Sequence, residues 1–528
     1  MRTFKHLPAL VFMGIKFERY IKIACWSVVI LLVLLGLTEA LFQIRPFWND
    51  EWRLTYNVKF KSIPQLWGVL DLIQECPRTL LSALKVIAQF FDYSYYSFRL
   101  PALVFTVANL GMVFYLRKRL FGNNSIWSYL FVMVIIGSDT FVNYIVQFKH
   151  YEVDYFLCLV GIWQYLTLLD ILKRKYVSAG KWLLLCSSFA VAPFFSYVYP
   201  IVVTPVFFLV LQVWLLERKS YRYTRSDYAK AIAPLVFCTI GIVLFYWVDV
   251  RHMLGDTDMY QSYQVMLGLE KSENPLLHNF WSFFSLLGSG LVFEIIWGVT
   301  GMLSFFYNLG IVRKVRSVFK SEFDAVRLYG IYLIVLTLVL VFSGKLMGGV
   351  GRLVAFTVPS LALLISYALQ QMADNMRLRK VAAGVYVVLF LGLCGSVVTC
   401  GINTFTYKEY ANRIHTFHSL GDALKEARQR KVPLLYTQGV YGNPLPDTSA
   451  LGQISDNNIV KSHAKGWDGM CAEVLVKVNP EYKMWDSIAI YFIGGMKDKL
   501  AYVNQLPSNY VGAVVTNGQR YEYVARTK

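Results

Sequence analysis

Two adjacent carboxylates, Asp50 and Glu51, stand in Trp48-Asn49-Asp50-Glu51-Trp52 just past the first long apolar run. Carboxylates at the lip of a bilayer are costly to strip of water and are seldom placed there for packing. A carboxylate can take the proton of an acceptor hydroxyl while a nearby Lys or Arg stabilises a phosphate that departs. Phosphate is itself a weak base and leaves without a general acid. That separates this chemistry from glycoside hydrolysis, in which paired carboxylates do both jobs. Further acids and cations occur in a very short polar segment, Gln147-Phe148-Lys149-His150-Tyr151-Glu152-Val153-Asp154, where a helix would set His150 and Asp154 on one face. Blander roles exist for each: Asp50 and Glu51 as a solvated helix cap, Asp154 as the cap of the following span, Lys149 as a snorkelling anchor, and Arg352 as a flanking charge.

The elements that position these groups are set by composition. With 56% hydrophobic residues, 16% aromatic residues and a mean hydropathy of +0.45, the chain's main solvent is lipid, and a soluble fold is excluded. Apolar runs near the required length of about 20 residues recur over 23–42, 100–116, 126–146, 153–172, 181–198, 199–216, 232–250, 285–312, 326–343, 353–371 and 381–401. The pattern predicts an α-helical polytopic membrane protein of about eleven spans. The first run has no small-residue cleavage site and exceeds a signal-peptide core, so it reads as a retained anchor.

Cytoplasmic loops hold an excess of Lys and Arg. With the N-terminus inside, the inner segments hold 25 Lys and Arg against 12 in the outer loops that precede the tail. A second crossing within 281–312 would turn Arg313 to Lys320 outward, so that stretch reads as an outer amphipathic segment followed by one span. This topology puts Asp50, Glu51, segment 147–154 and everything after residue 401 on the outer side. The net charge of +19 is mostly this inner bias, and nucleic acid is not needed to explain it.

The first outer loop, 43–99, is too long for a plain connector. Leu66, Val69, Leu70 and Ile73, then Leu80, Leu81, Leu84, Ile87 and Phe91, recur at helical spacing, broken at Pro64 and Pro77. With Trp67, Tyr93, Tyr95 and Tyr96 beside them, these predict short helices along the membrane interface. A third outer loop, 251–280, holds Arg251, His252, Asp256, Asp258, Tyr260 and Tyr263, and a glycine-rich fourth, 344–352, holds Lys345 and Arg352. Past residue 401 a helical pattern over 408–430 gives way to strand-like runs Val432 to Tyr436, Ile488 to Ile493 and Tyr510 to Val515. Residues 1–401 thus read as a transmembrane domain and 402–528 as a soluble α/β domain on the outer side.

The eight cysteines make no CxxC and no metal spacing, and six lie in or at the edges of spans, where Cys acts as a small hydrophobe. Cys76 and Cys471 fall in outer segments, and an oxidising compartment would allow them to pair. The single Asn-x-Ser/Thr acceptor, Asn123-Asn124-Ser125, sits in an inner loop, which favours a bacterial plasma membrane. Glu39, Asp139, Asp249 and Glu294 lie in or near apolar runs without an assigned task. Clustered outer carboxylates could hold a divalent metal, although no ligand spacing shows one.

Three stretches carry a family resemblance. They are Asp50-Glu51 followed by Tyr56; Phe98-Arg99-Leu100-Pro101-Ala102 running on to Arg117-Lys118-Arg119-Leu120-Phe121-Gly122; and Gly351-Arg352-Leu353 through Pro359-Ser360-Leu361-Ala362-Leu363-Leu364. Together they resemble the polytopic GT-C-fold glycosyltransferases, in particular the branch with protein O-mannosyltransferases, the lipid A aminoarabinose transferase and bacterial lipid-carrier-dependent glycosyltransferases. Leu353 stands where that pattern has Tyr. The resemblance implies a polyprenyl-phosphate sugar donor, a glycan, lipid or protein acceptor, reaction on the outer face, and inversion at the anomeric carbon. It implies Asp50 as base with Glu51 assisting, Asp154 as the second outer acid with Glu152 an equally near alternative, and Lys149, His150 and Arg352 as phosphate contacts. Arg99 would brace the first loop against the second span. The rival from another class is a transporter or flippase for a lipid-linked or anionic substrate, which predicts internal repeats and mid-membrane ligands that the sequence does not display.

Overall fold

Where it is described in the computed structural model, each of the eleven apolar runs is mainly helical, as an apolar stretch must be when its backbone finds no water to bond. The structure describes residues 15–42, 49–70, 74–91, 93, 95–122, 126–145, 147, 149–173, 177–217, 224–254, 281, 283–284, 291–312, 322–346, 351–375, 377–406, 434–438, 487–493, 510–511 and 522–526. Among these, seven helices are long and apolar enough to cross a membrane: 19–38, 96–121, 151–172, 226–254, 322–342, 355–374 and 379–399.

The first span lies in α1 (Ile15–Phe42), and the first loop contributes α2 (Asn49–Phe60), α3 (Ile63–Leu66) and α4 (Arg78–Phe90). There follow α5 (Tyr95–Phe121), α6 (Ile126–Ile136), α7 (Asp139–Tyr144), α8 (Tyr151–Leu172), α9 (Ala179–Val191, continued as a 3-10 turn to Phe195) and α10 (Tyr199–Glu217). Next come α11 (Arg225–Phe245, continued as a π-turn over Tyr246–Val250), α12 (Arg251–Leu254), α13 (Leu291–Val312), α14 (Glu322–Phe342), α15 (Gly351–Val354), α16 (Val358–Asp374) and α17 (Arg379–Thr406). Run 126–146 is one apolar stretch in sequence but two helices in the fold. It breaks at Gly137-Ser138, where Ser138 takes the N-cap of α7 and accepts from the Phe141 N–H.

Helices α6, α8 and α16 form the centre and are buried almost along their length. Hydrogen bonds cross between helices there: Tyr199 Oη donates to Gln164 Oε1 at 2.8 Å, and Gln164 Nε2 donates to Ser188 Oγ at 3.0 Å, joining α10, α8 and α9. Gly241 lets α11 ride against α9, since a Cβ there would meet the Ala190 carbonyl oxygen at 2.5 Å. The outer sides of these two helices present Leu183, Leu184, Val236, Phe237, Ile240 and Val243. Such a uniformly apolar belt suits lipid.

The first loop is helical, as its periodicity predicts, but with different bounds. Leu66 ends α3, because the Trp67 and Gly68 N–H groups turn back onto Pro64 and Gln65, and Val69 and Leu70 leave the helix. Ile73 lies outside the described residues. α4 starts where Pro77 breaks the pattern and buries Leu80, Leu81, Leu84 and Ala88, while Val86 and Phe90 face out. Lys85 shares the buried face. Its Nζ donates to the Val58 carbonyl at 2.7 Å and the Lys59 carbonyl at 3.4 Å, placing a cation on the last carbonyls of α2.

Of the tail, four strands are described: β1 (Leu434–Gln438), β2 (Ser487–Ile493), β3 (Tyr510–Val511) and β4 (Glu522–Arg526). They form one sheet in the order β1-β2-β4-β3, with β1 and β2 parallel and the other pairs antiparallel. The first three fall on or beside the expected runs, and β4 is an addition to them. The helical stretch expected over 408–430 and Cys471 lie outside the described residues.

Candidate active site

α2 begins at Asn49, so Asp50 and Glu51 stand in its first turn. Glu51 is not a solvated cap: it is 1% exposed, and its Oε1 accepts from Arg99 Nη1 at 2.6 Å. This ion pair joins the first turn of α2 to the first turns of α5. The side chain of Asp50 lies outside the described part, as do those of Tyr56 and Arg352.

Segment 147–154 forms the entrance of α8, with His150 at the N-cap. His150 Nε2 lies 3.8 Å from Asp154 Oδ2, one turn on. Asp154 is 4% exposed and caps nothing; its Oδ1 accepts from Ser196 Oγ, in the turn between α9 and α10. Lys149 does not snorkel. It is buried, and its Nζ donates to Gln74 Oε1 of the first loop at 3.0 Å. Glu152, the alternative acid, points elsewhere: its Oε2 accepts from Asn109 Nδ2 of α5 at 2.8 Å, and among the described residues its Oε1 meets no hydrogen-bond donor. Lys149, His150 and Asp154 therefore face the first loop and the α9–α10 turn together, whereas Glu152 faces α5.

Against this entrance packs the segment Gln74-Glu75-Cys76-Pro77-Arg78. Arg78 is fully buried; its Nη1 donates to Glu75 Oε2 at 2.7 Å, to the Cys76 carbonyl at 3.0 Å and to Tyr197 Oη at 3.1 Å. Its backbone N–H donates to Asp249 Oδ2 at 2.7 Å, and Tyr197 Oη donates to Asp249 Oδ1 at 2.9 Å. Burial works to strip Arg78 of its proton, but Tyr197, Glu75 and Asp249 outweigh it and hold the guanidinium charged more firmly than usual. Burial also pushes the Cys76 thiol up to about 12, against the opposing pull of Lys149 and Arg78. Cys76 is a buried free thiol.

All of these groups occupy one end of the bundle. At the other end, ~24 Å along α8 from Asp154 at 1.5 Å per residue, Asp170 takes Arg119 at 2.8 Å and Lys181 at 3.9 Å. The Glu51–Arg99 pair and the α8 entrance thus lie toward the opposite end from the Arg119, Lys181 and Asp170 group.

No family model and no curated protein matches this chain. Among solved structures it is similar to ArnT from Cupriavidus metallidurans in the apo state (TM-score 0.49, 13% identity, 95% of this chain and 98% of that one). It is similar also to the same protein bound to undecaprenyl phosphate (TM-score 0.49, 14% identity, 94% and 97%). A third match is the Archaeoglobus fulgidus oligosaccharyltransferase in complex with Zn and sulfate (TM-score 0.47, 12% identity, 95% and 73%). ArnT and the archaeal enzyme are GT-C-fold glycosyltransferases, the group that the sequence motifs resemble. At these identities and TM-scores the matches assign neither activity nor ligand to this chain.

Among the described residues, no group of three or more His, Cys, Asp or Glu is placed to hold a metal ion. Sequence reasoning missed five members of the cluster: Gln74, Glu75, Arg78, Ser196 and Tyr197. It noted Asp249 without giving it a task. The signal available was an intramembrane acid beside a basic, aromatic outer loop. Nothing in local spacing connects residue 78 to residue 249.

Proposed function

We propose that the chain is a membrane glycosyltransferase that moves a sugar from a polyprenyl-phosphate donor to an acceptor hydroxyl on the outer face of a bacterial plasma membrane. What supports this reading is that two groups of buried charged side chains occur toward one end of the bundle: Glu51 paired with Arg99 in the first turn of α2, and Lys149, His150 and Asp154 at the α8 entrance. An amphipathic donor lying in the bilayer would present its phosphate at that level.

Asp50 is the base. It takes the proton of the acceptor hydroxyl as that oxygen attacks the anomeric carbon from the side opposite the phosphate, which inverts the centre. The bond between the anomeric carbon and the phosphate oxygen breaks, and its electron pair stays on the phosphate. Lys149, His150 and Arg352 stabilise that charge. Glu51, held by Arg99, orients the turn that carries Asp50, and Asp154 orients His150. Eleven crossings with a cytoplasmic N-terminus put this site outside, and residues 402–528 help to position a glycan, lipid or protein acceptor.

Asp50→Asn is expected to abolish transfer from polyprenyl-phosphate sugars by purified protein whose thermal unfolding matches that of the wild type. Near-normal turnover in that variant would remove Asp50 from the mechanism.

A further inference from the structure

The proposed reaction leaves Asp249 without a task, yet its surroundings are built with care. It sits in the π-turn that closes α11, fully buried, and it serves an element 171 residues away. π-turns inside helices often mark functional positions. Pro77 stands at the N-cap of α4 and has no side-chain oxygen to offer the free N–H groups of the first turn. Asp249 Oδ2 supplies that oxygen to the Arg78 N–H, while Oδ1 takes the Tyr197 hydroxyl. Arg78 Nη1 then closes onto Tyr197 Oη, Glu75 and the Cys76 carbonyl. Four residues upstream, Gln74 Oε1 holds Lys149 Nζ.

We propose that Asp249 is a positioning residue for the transfer reaction: by capping α4 from α11 it clamps segment 74–78, and through Gln74 it fixes Lys149 where the departing phosphate is stabilised. This rests on the transferase reading above. The clamp also joins the first outer loop to the start of the third, since Arg251 and His252 lie two and three residues past Asp249.

Cys76, 0% exposed and inside the clamped segment, is a built-in reporter. The test compares wild type with Asp249→Ala, Asp249→Asn and Tyr197→Phe, each as purified full-length protein. A water-soluble maleimide is added, and Cys76 labelling is followed by mass spectrometry beside steady-state transfer. Asn keeps a carbonyl oxygen for the Arg78 N–H and an amide for Tyr197, and it caps helices as well as Asp. Asp249→Ala is expected to expose Cys76 and to lower kcat by about ten-fold or more, with little change in acceptor KM. Asp249→Asn is expected to keep Cys76 protected and restore kcat. Tyr197→Phe, which keeps the cap and loses the hydroxyl contacts to Arg78, Asp249 and Glu75, falls between them, and it decides the matter should Asp249→Ala fail to fold.

Protected Cys76 in Asp249→Ala, or exposed Cys76 with unchanged kcat, overturns the proposal. Wild-type protein that transfers no sugar, yet shows the labelling contrast, overturns the transferase reading and leaves the clamp standing.

Discussion

Replacing Arg99 by Met tests whether α2 is anchored by charge. The Arg99 guanidinium meets the Glu51 carboxylate at 2.6 Å, and both side chains are 1% exposed. Taking one member from a buried pair costs about 3–5 kcal/mol, because the remaining charge is left in a medium that cannot solvate it. Taking both, as in Glu51→Leu with Arg99→Met, removes that uncompensated charge, and well-packed apolar replacements of a buried pair are often neutral or stabilising. The double variant is therefore expected to lie within about 1 kcal/mol of wild type, with a coupling energy of about 3 kcal/mol or more in the cycle of four proteins. The assay is reversible unfolding of purified protein in mixed micelles of increasing denaturing-detergent fraction, followed by circular dichroism. A cost below about 1 kcal/mol for Arg99→Met alone, the value of an exposed ion pair, would refute the argument that this pair is dry.

Two further outcomes follow from other contacts. Ser196→Ala removes the hydroxyl that donates to Asp154 Oδ1 and is expected to lower kcat about ten-fold, in keeping with the loss of one buried hydrogen bond; unchanged turnover would detach Asp154 from the site. Gly241→Ala drives a methyl onto the Ala190 carbonyl oxygen and should cost about 1–3 kcal/mol of stability as α9 and α11 part. Unfolding in the same mixed micelles measures it.

Much of the helical frame was legible because a lipid solvent forces backbone bonds inward, so apolar length alone marks helix. The start of α4 was legible for a similar reason, since Pro77 cannot continue a preceding helix. The split of run 126–146 was not, because Gly137 and Ser138 are as small and tolerable in a span as at a helix break. Hydropathy also failed on α2, whose twelve residues Asn49–Phe60 are mixed in polarity and are held by Arg99 and Lys85 from other helices.

The candidate site was half legible. His150 and Asp154 share a face because helix geometry brings i and i+4 together, and that needs no tertiary knowledge. Arg78 and Tyr197 were invisible because their partners lie 171 and 52 residues away in the chain. The π-turn compounds this: its wider bonding inserts a residue into the turn, so Asp249 faces a direction that a 3.6-residue repeat does not forecast.

The cap on α4 has a bearing on biosynthesis. A nascent chain that has passed residue 78 through the membrane must wait for residue 249 before α4 acquires the side-chain oxygen that caps its first turn. Chains stalled anywhere between those two points lack that bond and should be cut near Pro77 by added protease more readily than the full-length protein.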